Sequence, residues 1–385
     1  MQARRHGLAR QRKAAGYSQE ELAERLGVER STVVRWEAGD TQPQPGLRPR
    51  LARALQVSLG QLDELLSGDR GTDTHGPDDH REASTGVDFL TVAQLRSEVQ
   101  HLDGQYDHVP SASLLAKAGQ CLGQVAVLGG QVTRGRVRRD LCAVEAEAAT
   151  LMGQLVWDAS KRRDHITARG YFDQAIAAAR HVHDPVAEGF ALLRKSYVAL
   201  YGEREPQDGL SLTEQAAHTT VGSSNVLAGL AALHSAEAHA MLGRQRDCEQ
   251  ALGQAETFFG RIARADPAID LFSPTHFGRL AGSCYLFLGK AGRAQPILEA
   301  TAGSARDRSK SRAIVLGNLA LAYLRQQKLD AATSTLHQAI DLVQLNWGGG
   351  GLTVVFTAGR ELRRHRQVQE VREVCDRLLG LMAAA

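Results

Sequence analysis

The stretch Ser18–Gly39, SQEELAERLGVERSTVVRWEAG, decides how the first part of the chain is read. Ser18 offers a side-chain acceptor at a helix start, and Glu21 stands three residues on, where its carboxylate can reach back to the cap's own N–H. That pairing predicts a helix over Gln19–Leu26. Gly27-Val28 leaves room only for a tight turn, after which ERSTVVRWEA predicts a second helix over Glu29–Ala38. Gly39 closes it, because a residue without Cβ takes the left-handed conformation at a helix end at little cost. Two short helices joined in this way form a helix-turn-helix.

At about 100° per residue the second helix has two unlike faces. Val33, Trp36 and Glu37 fall on one side, where they can pack on Leu8, Leu22 and Leu26. Ser31, Val34 and Arg35 fall on the other, flanked by Arg30 and Thr32. The outer set suits base edges: arginine reads guanine bidentately, hydroxyls reach bases or phosphates, and an apolar tip meets a thymine methyl. Upstream, Met1–Ala15 is predicted helical, and Met1–Lys13 carries five basic residues and no acid. Residues 1–67 hold eleven basic and eight acidic residues, while residues 68–385 hold thirty-five of each, so the whole net charge of +3 sits at the front. An anionic polymer is the partner such a distribution favours.

These residues resemble the Cro/CI-type (XRE family) DNA-binding domain of phage repressors and bacterial regulators. The resemblance runs over roughly residues 5–66 and includes Leu51–Leu66, LARALQVSLGQLDELL, which is similar to the family's last two helices. It implies a five-helix lambda-repressor-like domain whose partner is double-stranded DNA. It also implies that Gln19 bonds a phosphate and braces the recognition helix, that Arg30, Ser31 and Arg35 read bases, and that Arg12 is paired internally with Glu37. Thr32 and Val34 complete the reading face, and Trp36 belongs with the structural residues. Asp40 stands where the family often has a basic residue, and Pro49 lies near the start of the fourth helix. Arg48 and Arg50 are the candidates to make that loop's phosphate contacts instead.

Ser67–Asp88 breaks the pattern: six acids, a proline, several glycines and no large aliphatic residue before Val87 predict a flexible acidic linker over 68–88. From residue 89 helix formers dominate again, and the chain as a whole is expected to be all-α. Ala236–Glu256, Ala281–Ala300 and Ala320–Ile340 share a pattern of small residue, aliphatic or Leu-Gly pair, polar turn and spaced alanines. Aligned on Leu242, Leu288 and Leu324 they recur at 46 and 36 residues, with an earlier unit near Leu200. Ala168–Ala179 resembles the second helix of one more. These units resemble degenerate tetratricopeptide repeats, which implies six to eight helical hairpins over residues 89–385, stacked as a superhelix with a concave groove.

Other chemistry is weakly supported. The cysteines at 121, 142, 248, 284 and 375 form no CxxC pair, and His181, His183, His234 and His239 lack ligand spacing, so no metal or other cofactor is expected. Gly348–Gly351 lacks the Lys-Ser/Thr of a phosphate loop and is read as a connection between helices. No nucleophile elbow, HExxH or kinase set is present, so an enzyme is not expected. The absence of a long apolar run predicts a cytoplasmic protein with no membrane partner. The whole resembles bacterial quorum-sensing regulators that join a Cro/CI-type head to a tetratricopeptide groove. That likeness implies a homodimeric transcriptional regulator sensing a peptide or small molecule, while a scaffold recruiting a partner protein to DNA stays open as the alternative.

Overall fold

Every regular element among the described residues of the computed structural model is helical. Those residues are 6–43, 47–55, 57, 62, 65–66, 89–132, 135–304 and 309–384; the expected linker at 68–88 and the first five residues of the expected first helix lie outside them. The chain divides into two compact units, Met1–Ala83 and Ser84–Ala385.

In the first unit α1 (His6–Ala14), α2 (Gln19–Leu26), α3 (Arg30–Ala38) and α4 (Arg48–Ala54) enclose one small core. Leu62, Leu65 and Leu66 are helical as well. The local signals act as expected: Ser18 Oγ accepts from Glu21 N at 3.1 Å and Glu21 returns the bond to Ser18 N at 2.6 Å. Gly27 and Gly39 close α2 and α3 at φ of +71° and +87°. Glu29 is the cap of α3 rather than its first helical residue, in extended conformation at φ −73° and ψ 147°. Pro49 sits in the first turn of α4, where its missing N–H removes no helical bond. Leu8, Leu22, Leu26, Val33, Trp36, Leu51, Leu55 and Leu62 are all at most 3% exposed. Each such side chain contributes about 1.5–3 kcal/mol on burial.

The second unit is a run of helix pairs. α5 (Phe89–Gln105) and α6 (Ser111–Gln131) come first, then α7 (Gly135–Ala159) with α8 (His165–His181) and α9 (Pro185–Tyr197) with α10 (Pro206–Thr220). α11 (Asn225–Met241) pairs with α12 (Gln245–Phe259), α13 (Thr275–Phe287) with α14 (Ala291–Ser304), α15 (Lys310–Leu324) with α16 (Leu329–Asn346), and α17 (Gly349–Leu362) with α18 (Gln369–Ala384). From α7 onward the first helix of each pair packs on the first helix of the next, and α17 also touches α7. The odd-numbered helices therefore share one inner face, the tetratricopeptide-like arrangement that the repeats predict.

Local chemistry explains the turns. The Leu-Gly pairs end α11 and α13 because Gly243 and Gly289 take φ of +73° and +70°. In the third repeat the structure moves the turn two residues beyond the alignment on Leu324: Gln327, not Arg325, holds the place of the glycine, at φ +62°. Close packing needs small residues: a Cβ on Gly229 would lie 2.4 Å from the Phe259 ring, and one on Gly282 would lie 2.5 Å from Leu298.

The Gly348–Gly351 run is not a connection. Gly348 caps α17 and Gly349–Gly351 open it. Added side chains would collide: a Cβ on Gly349 would lie 3.0 Å from Asp158 Oδ1, and one on Gly350 would lie 2.4 Å from Arg162 Nη2. Asp158 accepts from Gly349 N at 2.6 Å, from Ser111 Oγ at 2.7 Å and from Lys310 Nζ at 3.0 Å. The side chains of Asp158 and Lys310 are 2% and 5% exposed. Lys310 N also donates to Asp107 O at 2.9 Å. The end of the repeat is thereby tied to its beginning.

Removing one partner of a buried ion pair leaves the other charge uncompensated. Lys310→Met is expected to lower stability by about 3–5 kcal/mol in urea unfolding, and Asp158→Asn added to it should recover part of the loss.

Candidate functional site

The outward face of α3 is built from its buried one. Val33 and Trp36 are 1% and 3% exposed, which anchors the helix and leaves Arg30, Ser31, Val34 and Arg35 in solvent with Thr32 half-buried. Val34 is 40% exposed although it is apolar. Behind this face Arg12 Nε donates to Glu37 Oε1 at 2.7 Å, and Gln19 Nε2 donates to Glu37 Oε2 at 2.7 Å. Arg12 Nη1 also donates to Tyr17 O at 2.6 Å. The pair is enclosed, with side chains 7% and 9% exposed, so Arg12 is an internal brace joining α1, the turn before α2 and the end of α3. Gln19 ties the start of α2 to the same carboxylate.

Among the outer residues, Arg35 Nε reaches only the Ser31 carbonyl at 3.3 Å, a contact that leaves the rest of the guanidinium fork available. Arg48 turns toward its own loop, with Nη2 donating to Gln42 Oε1 at 2.9 Å and Nε to Pro43 O at 3.4 Å, while Arg50 is exposed. Sequence reading gave Glu29 no role. Its carboxylate accepts from Ser31 Oγ at 3.1 Å, placing one negative charge beside the exposed arginines. Read as the first residue of the helix rather than as its N-cap, Glu29 carried no signal of that contact. What the face can do chemically is donate hydrogen bonds to an acceptor-rich, anionic groove while offering one methyl-bearing tip.

In the second unit the inner helices enclose a cavity of about 390 Å³ whose lining includes Tyr201, Glu237, Arg279, Asn318 and Gly350. A smaller space of about 100 Å³ shares Tyr201, Arg279 and Gly350 with it. Tyr201 lies in a π-helical segment, Val198–Glu203, that follows α9. Widened turns of this kind recur at functional sites. Its hydroxyl meets His234 Nδ1 at 2.7 Å and donates to Glu237. Burial pushes Glu237 up, but the nearby His234 imidazole and the hydrogen bonds from Ser283 and Tyr201 outweigh it and hold the carboxyl below the usual carboxylate range. Burial pulls His234 below its ordinary value, and burial together with Arg279, His234 and Arg194 pushes His276 down to about 3. None of these groups was picked out by sequence as a set, because they come from helices many residues apart.

All five cysteines are free, four of them buried and Cys375 half-buried. Among the described residues no group of three or more His, Cys, Asp or Glu side chains is placed to hold a metal ion, and no helix is long and apolar enough to cross a membrane.

Residues 8–62 match a family model described as helix-turn-helix. An uncharacterized HTH-type transcriptional regulator of Methanothermobacter thermautotrophicus is 52% identical over 44 residues, which is 11% of this chain. The chain spans 64% of the length of that curated relative. Two solved structures overlay loosely. Bacillus thuringiensis PlcR, in complex with the peptide PapR7 and DNA, gives a TM-score of 0.34 at 16% identity, over 66% of this chain and 94% of that one. A Rap protein complexed with Competence and Sporulation Factor gives a TM-score of 0.42 at 10% identity, over 76% and 98%.

His276 and His234 stay neutral in the folded protein under conditions where the unfolded chain binds protons. The stability this neutrality carries is present above the ordinary histidine value of 6.5 and is lost progressively as pH falls toward about 3. Melting temperatures of the chain are expected to fall between pH 7 and pH 5, and His276→Asn should flatten that fall in a calorimetric series.

Proposed function

Taking as premise the Cro/CI-type helix-turn-helix domain at its N-terminus, we propose that the protein is a cytoplasmic, sequence-specific DNA-binding transcriptional regulator. Residues 1–67 are its DNA-binding part, 68–88 a flexible acidic linker, and 89–385 the helical part that dimerises and senses a peptide or small molecule. The observation that carries this reading is the face of α3, where Arg30, Ser31, Val34 and Arg35 are exposed over the buried Val33 and Trp36. In this reading α3 enters the major groove, Arg30 and Arg35 donate to guanine acceptors, and Ser31 and Thr32 reach bases or phosphates. Val34 meets a thymine methyl. Gln19, Arg48 and Arg50 serve the phosphate backbone, with Gln19 also bracing Glu37. The relative described as an HTH-type transcriptional regulator is consistent with this assignment.

Sensing is favoured over a plain scaffold by one feature: the inner helices line a cavity of about 390 Å³ whose wall joins apolar side chains such as Leu286, Phe287 and Ile314 to the charged Glu237 and Arg279, a combination suited to a small ligand. A ligand bound there shifts DNA affinity only by as much as it discriminates between two arrangements of the dimer.

Arg30→Ala and Arg35→Ala are each expected to lose roughly 1–3 kcal/mol of specific affinity and relax selectivity at one base pair, whereas Gln19→Ala should weaken all sequences alike. Binding measured at fixed salt on operator and scrambled DNA checks this, and unchanged selectivity in both arginine variants refutes it. One head of this size covers too little DNA to select a site from a genome, so two-fold pairing is required. Light scattering on residues 89–385 should return a dimer at micromolar concentration; a monomer there would overturn the assembly.

A further inference from the structure

Five of the residues that line the smaller inner space carry buried hydrogen-bond donors with nothing to donate to. Gln154 Nε2 and Trp157 Nε1 belong to side chains 4% exposed and have no partner, and Arg162 Nε, Arg194 Nε and Arg279 Nε are likewise buried and unpaired. All five residues line that space. Aromatic faces hold two of the guanidinium planes in place: Arg162 lies 4.5 Å from the Trp157 ring centre and 5.7 Å from that of Tyr201, and Arg194 lies 4.9 Å from Phe190 and 5.5 Å from Tyr197. Stacking fixes the planes and leaves the N–H edges to point elsewhere.

Two of the three carboxylates that line the two spaces are fully engaged, and the third, Asp107, accepts from Ser311 Oγ at 3.4 Å. Asp158 serves Ser111, Lys310 and Gly349, and Glu237 serves Tyr201 and Ser283. Buried donors and cations without acceptors are costly, and a structure retains them where something outside the chain completes them. Backbone irregularities gather at the same place: Lys161 and Arg162 both have positive φ, +57° and +62°, and the π-helical segment carries Tyr201. Lys161 and Arg162 close α7, with Arg162 N donating to Trp157 O at 2.8 Å, and that turn sets the Arg162 side chain at the cavity.

We infer that these two adjoining spaces form one binding site for a compact organic anion. Its carboxylate or phosphate oxygens are received by Arg162, Arg194 and Arg279 together with the N–H groups of Trp157 and Gln154, and its body occupies the 390 Å³ space. That volume lies at the small end of the range for small-molecule sites, which disfavours a long peptide filling it. With Nδ1–H given to Tyr201, His234 presents the lone pair of Nε2, which takes a hydroxyl or N–H of the same ligand. The inference rests on the proposed sensing role of the helical unit and names the ligand's chemistry.

The test uses the full chain with inorganic phosphate and citrate as probes, at an ionic strength held constant with chloride. Each of two readouts is followed, the melting temperature and the affinity for operator DNA. Saturable stabilisation by at least one probe is expected, and the tighter of the two tells phosphate from carboxylate as the preferred head group. The double variant Arg194→Met/Arg279→Met should bind the probe about tenfold more weakly or worse, the loss expected for charge-assisted hydrogen bonds. Without probe it should melt no lower than the parent, since it removes unpaired cations, which verifies that it folds. Arg246→Met, on an exposed position, should change nothing. No saturable effect of either probe, or equal binding by the double variant, overturns the site. Anion binding that leaves DNA affinity unchanged upholds the site and sinks the sensing role. A peptide that shifts DNA affinity equally in parent and double variant does the reverse.

Discussion

One buried carboxylate holds the helical unit in its closed form. Asp158 collects a hydroxyl from the start of α6, an ammonium from the start of α15 and a backbone N–H from the start of α17, at distances of 2.6 to 3.0 Å. A stack of hairpins packed only on nearest neighbours has no intrinsic reason to bring its ends together, because each interface contributes independently of the others. The Asp158 cluster supplies that reason across sequence separations of 47 to 191 residues. Burying the pair carries a desolvation cost that Coulomb attraction offsets only with good geometry and full hydrogen bonding, both of which are present. Burial pulls the Lys310 amine below its ordinary value while Asp158 opposes the shift, as expected for an enclosed ion pair.

The closure has a consequence inside. With α17 against α7, the inner helices surround a space instead of lining an open trough, and polar groups from α7, α9, α11 and α13 converge on it. The chain of His234, Tyr201, Glu237 and Ser283 is linked by hydrogen bonds and leaves only His234 Nε2 without a partner, whereas each of the arginines beside it has a buried Nε–H with no acceptor.

The N-terminal unit depends on a smaller version of the same device. Glu37 receives Arg12 and Gln19, fixing α3 against α1 and α2 from behind so that the opposite side of α3 stays clear. A short helix of nine residues has little stability alone, and this brace with Trp36 and Val33 beneath it makes the outer face rigid. Rigidity matters there because a recognition surface must hold its donors in register with base edges.

Much of this was determined by sequence. Capping at Ser18 and Glu21, the glycines at 27 and 39, and the two faces of α3 are local, since each depends on residues within four or five positions and on helical periodicity. The Leu-Gly turns of the repeats are local in the same sense. Tertiary structure decided the rest. The glycines at 348–351 read as a connection because nothing near them in sequence reveals Asp158 or Arg162, the groups that crowd any side chain there. The π-helical turn at Tyr201, the pairing of Asp158 with Lys310 and the meeting of Arg162, Arg194 and Arg279 at one cavity likewise arise only when helices far apart in the chain are stacked. Periodicity specifies which face of a helix is buried, but not which residue of another helix it will meet there.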